Sequence, residues 1–176
     1  PLGIKEKLGL SGKMVVFVGA LGPWHGTDEL AEIAKVNPNI SVVVAGGGYG
    51  HNLPKLRNLH HIGQLERHEV PGLLVEADIG LAPYPNVDYG FSPLKIYEYM
   101  GCNLPVVATL LPSVEEATQG HALLVRPGQM ADAISKIINN EKLLSELSDS
   151  AFKYASRERT WSKTIAKTIE LYKGIL

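Results

Sequence analysis

Short runs of β-branched and other apolar residues recur along the first two thirds of the chain, and several end in glycine. The first two are MVVFVG at 14–19 and SVVVAGGG at 41–48. Between them, TDELAEIAKV at 27–36 places apolar residues three and four positions apart, which is the spacing of one helix face. A strand, a helix and a second strand in so short a stretch predict a right-handed crossover between parallel strands.

The alternation of strand and helix patterns continues to about residue 127. Further strands are predicted at 59–63, 78–84, 104–109 and 121–127. Helices are predicted at 66–77, with Pro71 in its first turns, and at 92–102 and 112–118. Beyond residue 127 the spacing is helical throughout. The pattern indicates an α/β fold: a Rossmann-like, doubly wound parallel sheet of about six strands with a C-terminal helical tail.

Composition narrows the class of protein. The 176 residues suffice for one domain with a full core, and 45% hydrophobic residues is an ordinary globular value. The 17 basic and 18 acidic side chains include no dense basic run, so neither nucleic acid nor an anionic lipid surface is indicated as a partner. Cys102 is the single cysteine, which excludes an internal disulfide and suggests a reducing compartment.

Glycine-rich loops follow the first two predicted strands, in GALGPWHGTDEL and AGGGYGHN. Backbone amides in such turns can approach an anion closely, but glycine after a parallel strand is equally explained by turn geometry. GGGYGHN does not complete G-x-G-x-x-G because position 51 is His51, and G-x-x-x-x-G-K-[ST] is absent. The sequence therefore disfavours a dinucleotide-dependent dehydrogenase and a P-loop ATPase.

GFSPLKIYEYMG at 90–101 combines a helix start with two charged residues on one face. If Ser92 is the N-cap, Pro93 takes the first helical position, and the amides of Leu94 and Lys95 can bind an anion. Lys95 opposes the helix dipole unless such an anion is bound. Glu98, one turn on, can accept two hydrogen bonds from a vicinal diol such as a ribose. The alternative is an ion pair between Lys95 and Glu98 on a solvated face.

Taken together, the segments resemble the C-terminal, donor-binding half of retaining glycosyltransferases of the two-Rossmann-domain (GT-B) fold, family 4 or "group 1". The resemblance covers nearly the whole chain and rests on the order and spacing of VVFVGALGPWHGTDELAEIA, SVVVAGGG, LHHIGQLERHEVPGLLVEADIGLAPY, SPLKIYEYMGCNLPVVAT and PSVEEATQGHALLVRPG. It implies transfer of a sugar from a UDP-, GDP- or ADP-sugar to a glycan or lipid-linked acceptor, as in polysaccharide biosynthesis. No cofactor and no obligatory metal are implied.

The resemblance also implies roles for individual residues. Glu98 corresponds to the glutamate that binds the ribose hydroxyls, and the amides around Ser92 to Lys95 would hold the diphosphate. His61 and Ile62 fall where the base is contacted, largely through backbone. Contacts to the donor nucleotide are expected at Gly19, Gly26, Gly46, Gly48, His61, Ile62, Ser92, Pro93, Leu94 and Glu98.

The chain departs from the family pattern at three positions. Gly90 stands where a first signature glutamate is expected, and Ala20 and His25 stand where the first loop usually has arginine and lysine. A leaving diphosphate needs fixed positive charge in a dry site. We expect Lys95, with His25 if it is protonated, to be the catalytic cations. Asp88 or Tyr89 would bind the donor sugar in place of the missing glutamate.

The resemblance further implies a piece of a longer enzyme. Residues 1–13 are interpreted as the end of an interdomain linker, 14–155 as the nucleotide-sugar-binding domain and 156–176 as a C-terminal helix, which could pack on the sheet or on a missing partner. An acceptor-binding half would precede Pro1, so this chain alone should bind donor and transfer little. The expected location is the cytoplasm, with any membrane contact made by the missing half. Two alternatives stay open: a catalytically degenerate nucleotide-sugar-binding module or partner subunit, and a sugar-nucleotide 2-epimerase, whose extra acid–base residues are not evident.

Overall fold

A computed structural model describes residues 1–22, 25–48, 53–85 and 92–175, and it contains one parallel sheet. Its strands are β1 Met14–Val18, β2 Ser41–Ala45, β3 Leu59–His61, β4 Ile79–Ala82, β5 Val106–Thr109 and β6 Leu123–Val125. They are ordered β3-β2-β1-β4-β5-β6, and every pair is parallel. The predicted doubly wound α/β fold is confirmed.

Helices connect the strands and extend the chain beyond the sheet. They are α1 Ile4–Lys7, α2 Thr27–Val36, α3 Val70–Leu74, α4 Leu94–Gly101, α5 Pro112–Thr118, α6 Met130–Ile137, α7 Glu141–Glu158 and α8 Trp161–Lys173. The predicted bounds of α2 and α5 are confirmed. The helix predicted over 66–77 is observed only over Val70–Leu74. After it the chain forms a tight turn, in which the amides of Glu76 and Ala77 donate to carbonyls three residues earlier. None of the described helices combines the length and apolar character that a membrane span requires.

The sheet is buried on both faces, as parallel sheets require. Along β1, Val15 and Phe17 enter a core cluster with α2 and α6, whereas Met14 and Val16 enter a second cluster with α4 and α7. Helix α2 therefore packs on one face of the sheet and α4 on the other. The loops that follow the neighbouring strands β1 and β4 thus run to opposite faces of the sheet. In open α/β sheets this point, at the carboxyl ends of the strands, is where a ligand crevice forms.

The first ten residues are packed against the domain. The Leu2 amide donates to the carbonyl of Gly72 at 3.0 Å, and the Glu76 carboxylate accepts from the amides of Gly3 and Lys5 at the start of α1. Burial alone would raise the pKa of Glu76, but these amides hold it below its usual value. Ile4 is buried. The segment interpreted as a linker end is thus held on α3.

The C-terminal helices differ from each other in burial. Helix α7 buries Leu144, Ala151 and Ala155 against the domain, and the expected boundary at 155/156 falls inside it. Helix α8 buries none of its side chains. Trp161 is 67% exposed and Tyr172 is 65% exposed. Helix α8 therefore contributes little to the core of the described domain.

Candidate functional site

The crevice at the carboxyl ends of β1 and β4 is closed at its base by two loops in contact. Gly26, which precedes α2, has φ 55°, and a Cβ built there would lie 3.2 Å from backbone atoms of Pro83 and Tyr84 in the loop after β4. Only glycine accepts both that conformation and that distance without strain. Gly26 therefore joins the two loops that border the crevice.

Lys95 extends from the first turn of α4 into this crevice. Long helical side chains lean towards the helix N-terminus, which here faces the carboxyl ends of the strands. Its Nζ lies 4.2 Å from the ring centroid of Phe17 on β1 and 5.4 Å from that of Tyr84 after β4. A Cβ on Gly19 would be 3.1 Å from the same atom, so the bare glycine leaves room for the amine. The end of the side chain is buried, and no described residue accepts a hydrogen bond from it.

The electrostatics of Lys95 are set mainly by its burial. Desolvation lowers the pKa of Lys95 from an ordinary 10.5 to about 7, with a smaller opposing effect from Glu98. The ion pairs among the described residues do not include one between Lys95 and Glu98, and the Glu98 side chain is exposed. The alternative of a solvated ion pair is therefore wrong: the amine enters the crevice and the carboxylate faces solvent.

The start of α4 differs from the predicted cap. Pro93, with φ −82° and ψ 69°, immediately precedes the helix, and the Leu94 amide donates to the Ser92 carbonyl at 2.9 Å. This is an inverse γ-turn centred on Pro93. The prediction that Ser92 is the N-cap and leaves the Leu94 amide free is wrong, because the turn uses that amide. The positively charged group at this helix start is the Lys95 side chain.

Tyr99 fixes the position of α4 on the sheet, one turn after Lys95. Its ring lies on Gly80 of β4, where an added Cβ would come within 2.5 Å of a ring carbon. Its hydroxyl accepts from the Val18 amide at 2.8 Å and donates to the Leu81 carbonyl at 3.3 Å, so it bridges β1 and β4. Burial raises the pKa of Tyr99, which stays a neutral donor. No local sequence pattern predicts this role, because both hydrogen bonds reach residues distant in the sequence.

A cavity of about 260 Å³ opens beside Gly19, above the ends of β1 and β2. It is lined by Val18, Gly19, Ala20, Ala45, Gly46, Gly47, Gln64, Leu65 and Val70. Gln64 is the polar side chain in this lining, and its amide can both donate and accept hydrogen bonds. Gln64 and Leu65 follow His61 and Ile62 in the segment where base contacts are expected, but neither residue was itself predicted to line the site.

His61 and Ile62, where base contacts are expected, lie just before that cavity. His61 Nε2 is 2.7 Å from the Gly46 carbonyl oxygen. The Ile62 amide donates to the Val44 carbonyl, and its side chain packs on the core cluster of α4 and α7. Neither lines the cavity, and both make contacts within the protein.

Gly46 and Gly48 lie where the loops after β1 and β2 run side by side. A Cβ on Gly46, whose φ is 153°, would be 1.8 Å from the Gly19 carbonyl oxygen, and one on Gly48 would be 2.8 Å from that of Leu21. The Leu21 amide donates to the Gly47 carbonyl at 2.9 Å. Close backbone approach explains both glycines, while Gly46 also reaches the cavity.

A second hollow of about 460 Å³ runs along the outer face of α4. It is lined by Arg67, Ser92, Leu94, Tyr97, Glu98, Arg159, Trp161 and Thr164. Arg159 is held by the Tyr154 hydroxyl at 2.7 Å, and its guanidinium lies 5.3 Å from the Tyr97 ring centroid. The hollow that Glu98 faces thus also contains two arginine side chains. Glu98 itself lies within one helical turn of Lys95.

His25, in the loop after β1, also contacts Phe17. Its half-buried ring meets the Phe17 ring edge-on, with centroids 6.2 Å apart, so His25 and Lys95 share one aromatic contact. Asp88, Tyr89 and Gly90 lie outside the described residues. Within residues 1–22, 25–48, 53–85 and 92–175, there is no cluster of three histidine, cysteine or carboxylate side chains that could hold a metal ion.

Comparison with known proteins defines the class. The family description "Glycosyl transferases group 1" matches residues 12–140, and the chain belongs to this family. HepE of Anabaena, solved in complex with UDP-glucose, superposes with a TM-score of 0.80 at 21% identity, over 96% of this chain and 52% of HepE. A Rickettsia africae glycosyltransferase superposes with a TM-score of 0.78 at 17% identity, over 98% of this chain and 50% of its own. The sheet is a Rossmann-like unit of the kind found in GT-B glycosyltransferases.

Sequence relatives are more specific in name. The chain is 26% identical over 179 residues to TuaH of Bacillus subtilis, named as a teichuronic acid biosynthesis glycosyltransferase, covering 95% of this chain and 44% of TuaH. It is 30% identical over 130 residues to a D-inositol 3-phosphate glycosyltransferase of Mycolicibacterium gilvum, covering 65% of this chain and 29% of that protein. The chain thus spans less than half the length of these curated relatives.

Proposed function

We propose that this chain binds a nucleoside diphosphate sugar and is the donor-binding half of a retaining glycosyltransferase that acts on a glycan or lipid-linked acceptor. The observation that carries the proposal is Lys95. Its amine is buried at the carboxyl ends of β1 and β4 without an acceptor among the described residues. Burying an amine without a partner makes its charged form costly, and ionisable groups perturbed in this way are associated with ligand sites.

The surroundings of Lys95 match the parts of such a donor. Its amine would meet the diphosphate, and the cavity that adjoins it through Gly19 has the size and largely apolar walls that suit a planar base, with Gln64 to hydrogen-bond it. Glu98, one helical turn on, would accept the ribose hydroxyls. Gly19, Gly26 and Gly46 would bring the loop backbone close to the nucleotide. UDP-sugars are the first donors to test, because HepE was solved with UDP-glucose.

In the transfer step, the bond between the anomeric carbon and the donor phosphate oxygen breaks while the acceptor hydroxyl oxygen bonds to the same carbon. The hydroxyl proton passes to the leaving diphosphate, on which negative charge develops. A protonated Lys95 amine in a water-poor crevice stabilises that charge. His25, if protonated, adds to it from the loop after β1. The acceptor half of the enzyme is proposed to lie in a longer protein, so this chain alone would bind donor with little transfer. We also propose a cytoplasmic location, where nucleotide sugars are made.

Titration calorimetry of the chain with UDP, GDP, ADP and the matching sugar nucleotides tests donor binding. One nucleotide class should bind selectively, and Glu98→Ala should weaken it at least about tenfold, because two hydrogen bonds to a charged group are lost. Glu32→Ala is the matched control: Glu32 is an exposed helical glutamate on α2, on the other face of the sheet. Equal affinities of the Glu98 and Glu32 variants would contradict the assigned site.

A second candidate is a nucleotide-sugar-binding module that has lost catalysis. It is favoured by Ala20, His25 and Gly90, where the family usually has two cations and a carboxylate. Turnover by the longer protein separates the two: donor consumption that Lys95→Ala abolishes supports the enzyme, and donor affinity without consumption supports the module. Product analysis in the same assay would reveal a 2-epimerase by its isomerised sugar nucleotide.

A further inference from the structure

We propose that this site takes up one proton together with its anionic ligand, and that the amine of Lys95 is the group that receives it. The inference rests on the proposed function, since the ligand is taken to be the diphosphate of the donor. It adds that donor affinity depends on pH through a single lysine.

The empty site favours the neutral amine for a geometric reason. A protonated amine presents three N–H groups, all of which require acceptors when they are buried. The faces of Phe17 and Tyr84 lie 4.2 and 5.4 Å from Nζ to the ring centroids. No described residue accepts a hydrogen bond from this atom. Ring faces attract a cation only weakly compared with the hydration that is lost on burial.

The titratable groups around the amine do not replace that hydration. Tyr84 borders it from the loop after β4, and Tyr99 follows it one turn later on α4. Burial raises the pKa of both, so neither supplies negative charge near neutral pH. His25 approaches from the loop after β1 through Phe17. Glu98 is the described carboxylate that acts on Lys95, and it is exposed and beyond ion-pair distance. Consistently, burial lowers the pKa of Lys95 to about 7.

A bound diphosphate would provide the missing acceptors and a nearby negative charge. Both effects favour the protonated amine and raise its pKa in the complex. In a sugar nucleotide each phosphate carries one negative charge throughout the neutral range, so the ligand itself neither gains nor releases a proton. The proton balance of binding is then one proton from solvent to Lys95 per ligand bound. Above about pH 7 the affinity should fall by about tenfold per pH unit.

Calorimetric titration with UDP-glucose at about pH 8, in buffers of different ionisation enthalpy, counts this proton directly. From a pKa of about 7, the expected uptake is about 0.9 proton per UDP-glucose bound. If UDP-glucose does not bind, the sugar nucleotide selected in the donor titration is used in its place.

Three variants decide the source of the proton. Lys95→Arg keeps a permanent positive charge, so it should bind without proton uptake and lose the pH dependence. Lys95→Met should bind weakly and also without uptake. Lys142→Arg, at a lysine whose side chain is 87% exposed, should behave as the parent chain. Uptake that persists in Lys95→Arg or Lys95→Met, or binding by the parent chain without uptake, would overturn the inference while leaving donor binding intact. A lack of binding to every sugar nucleotide would overturn the proposed function and this inference with it.

Discussion

Lys95 makes the stability of the ligand-free chain depend on pH. Its folded-state pKa of about 7 lies below the ordinary 10.5, so between these values the unfolded state binds more protons. The free energy of unfolding therefore rises with pH in that window, by at most about 1.4 kcal/mol per pH unit. In urea unfolding at several pH values, the free energy of unfolding of the parent chain should rise relative to that of Lys95→Met as pH increases from 7 towards 10. Parallel pH curves for the two chains would contradict a buried neutral amine, and Lys142→Met is the exposed control.

Gly46 gives a second test at the scale of one residue. Gly46→Ala would press a methyl group against the Gly19 carbonyl oxygen, at 1.8 Å in the unrelaxed structure, so the loops after β1 and β2 must separate. We expect a loss of about 2 kcal/mol or more in thermal or urea unfolding. Gly101→Ala, at the end of α4 with open space around its Cβ, should be neutral or stabilising. Similar losses in both variants would contradict the close approach at Gly46.

Helix α8 is the element whose removal should matter least for folding. It buries no side chain, so deleting residues 161–176 should leave a cooperative thermal transition within a few degrees of the parent. Deletion from residue 141 is the matched control, because it also removes Leu144, Ala151 and Ala155 of α7 from the core and should abolish that transition. Loss of cooperative unfolding on removing α8 alone would show that α8 packs on the domain.

Element order was predictable from the sequence, and the start of α4 was not. Helices α2 and α5 were placed at their observed bounds because periodicity and flanking residues agree there. A serine-proline step before a helix suits both an N-cap and an inverse γ-turn. Pro93, the central residue of the turn, is buried in the domain. That burial cannot be predicted from the neighbouring residues in the sequence.

Parts of the site were predictable to different degrees. Lys95 could be identified because its charge opposes the helix dipole, although its burial could not. The role of Tyr99 was not predicted, because its hydroxyl bonds to Val18, 81 residues earlier. The role of Gln64 was not predicted, because the cavity also depends on residues at the ends of β1 and β2. Long-range contacts of this kind leave no periodic signal in a single sequence.

Across the whole molecule, the strand order brings these residues together. With β1 and β4 as neighbours, the loop that carries Gly19 and His25 meets the helix that carries Lys95 and Glu98. The chain spans less than half of TuaH. On the proposed function, donor affinity belongs to the present chain and transfer to the longer protein.

The sheet ends at both sides in its shortest strands, β3 and β6, of three residues each. An exposed edge is a template for pairing with another chain, and its reach grows with the number of free backbone groups in a row. Each of these short edges offers few backbone groups in a row, so pairing with the sheet of another molecule is disfavoured, even though the inner strands are almost wholly apolar. Colloidal behaviour of the isolated chain should therefore be governed by its helical exterior.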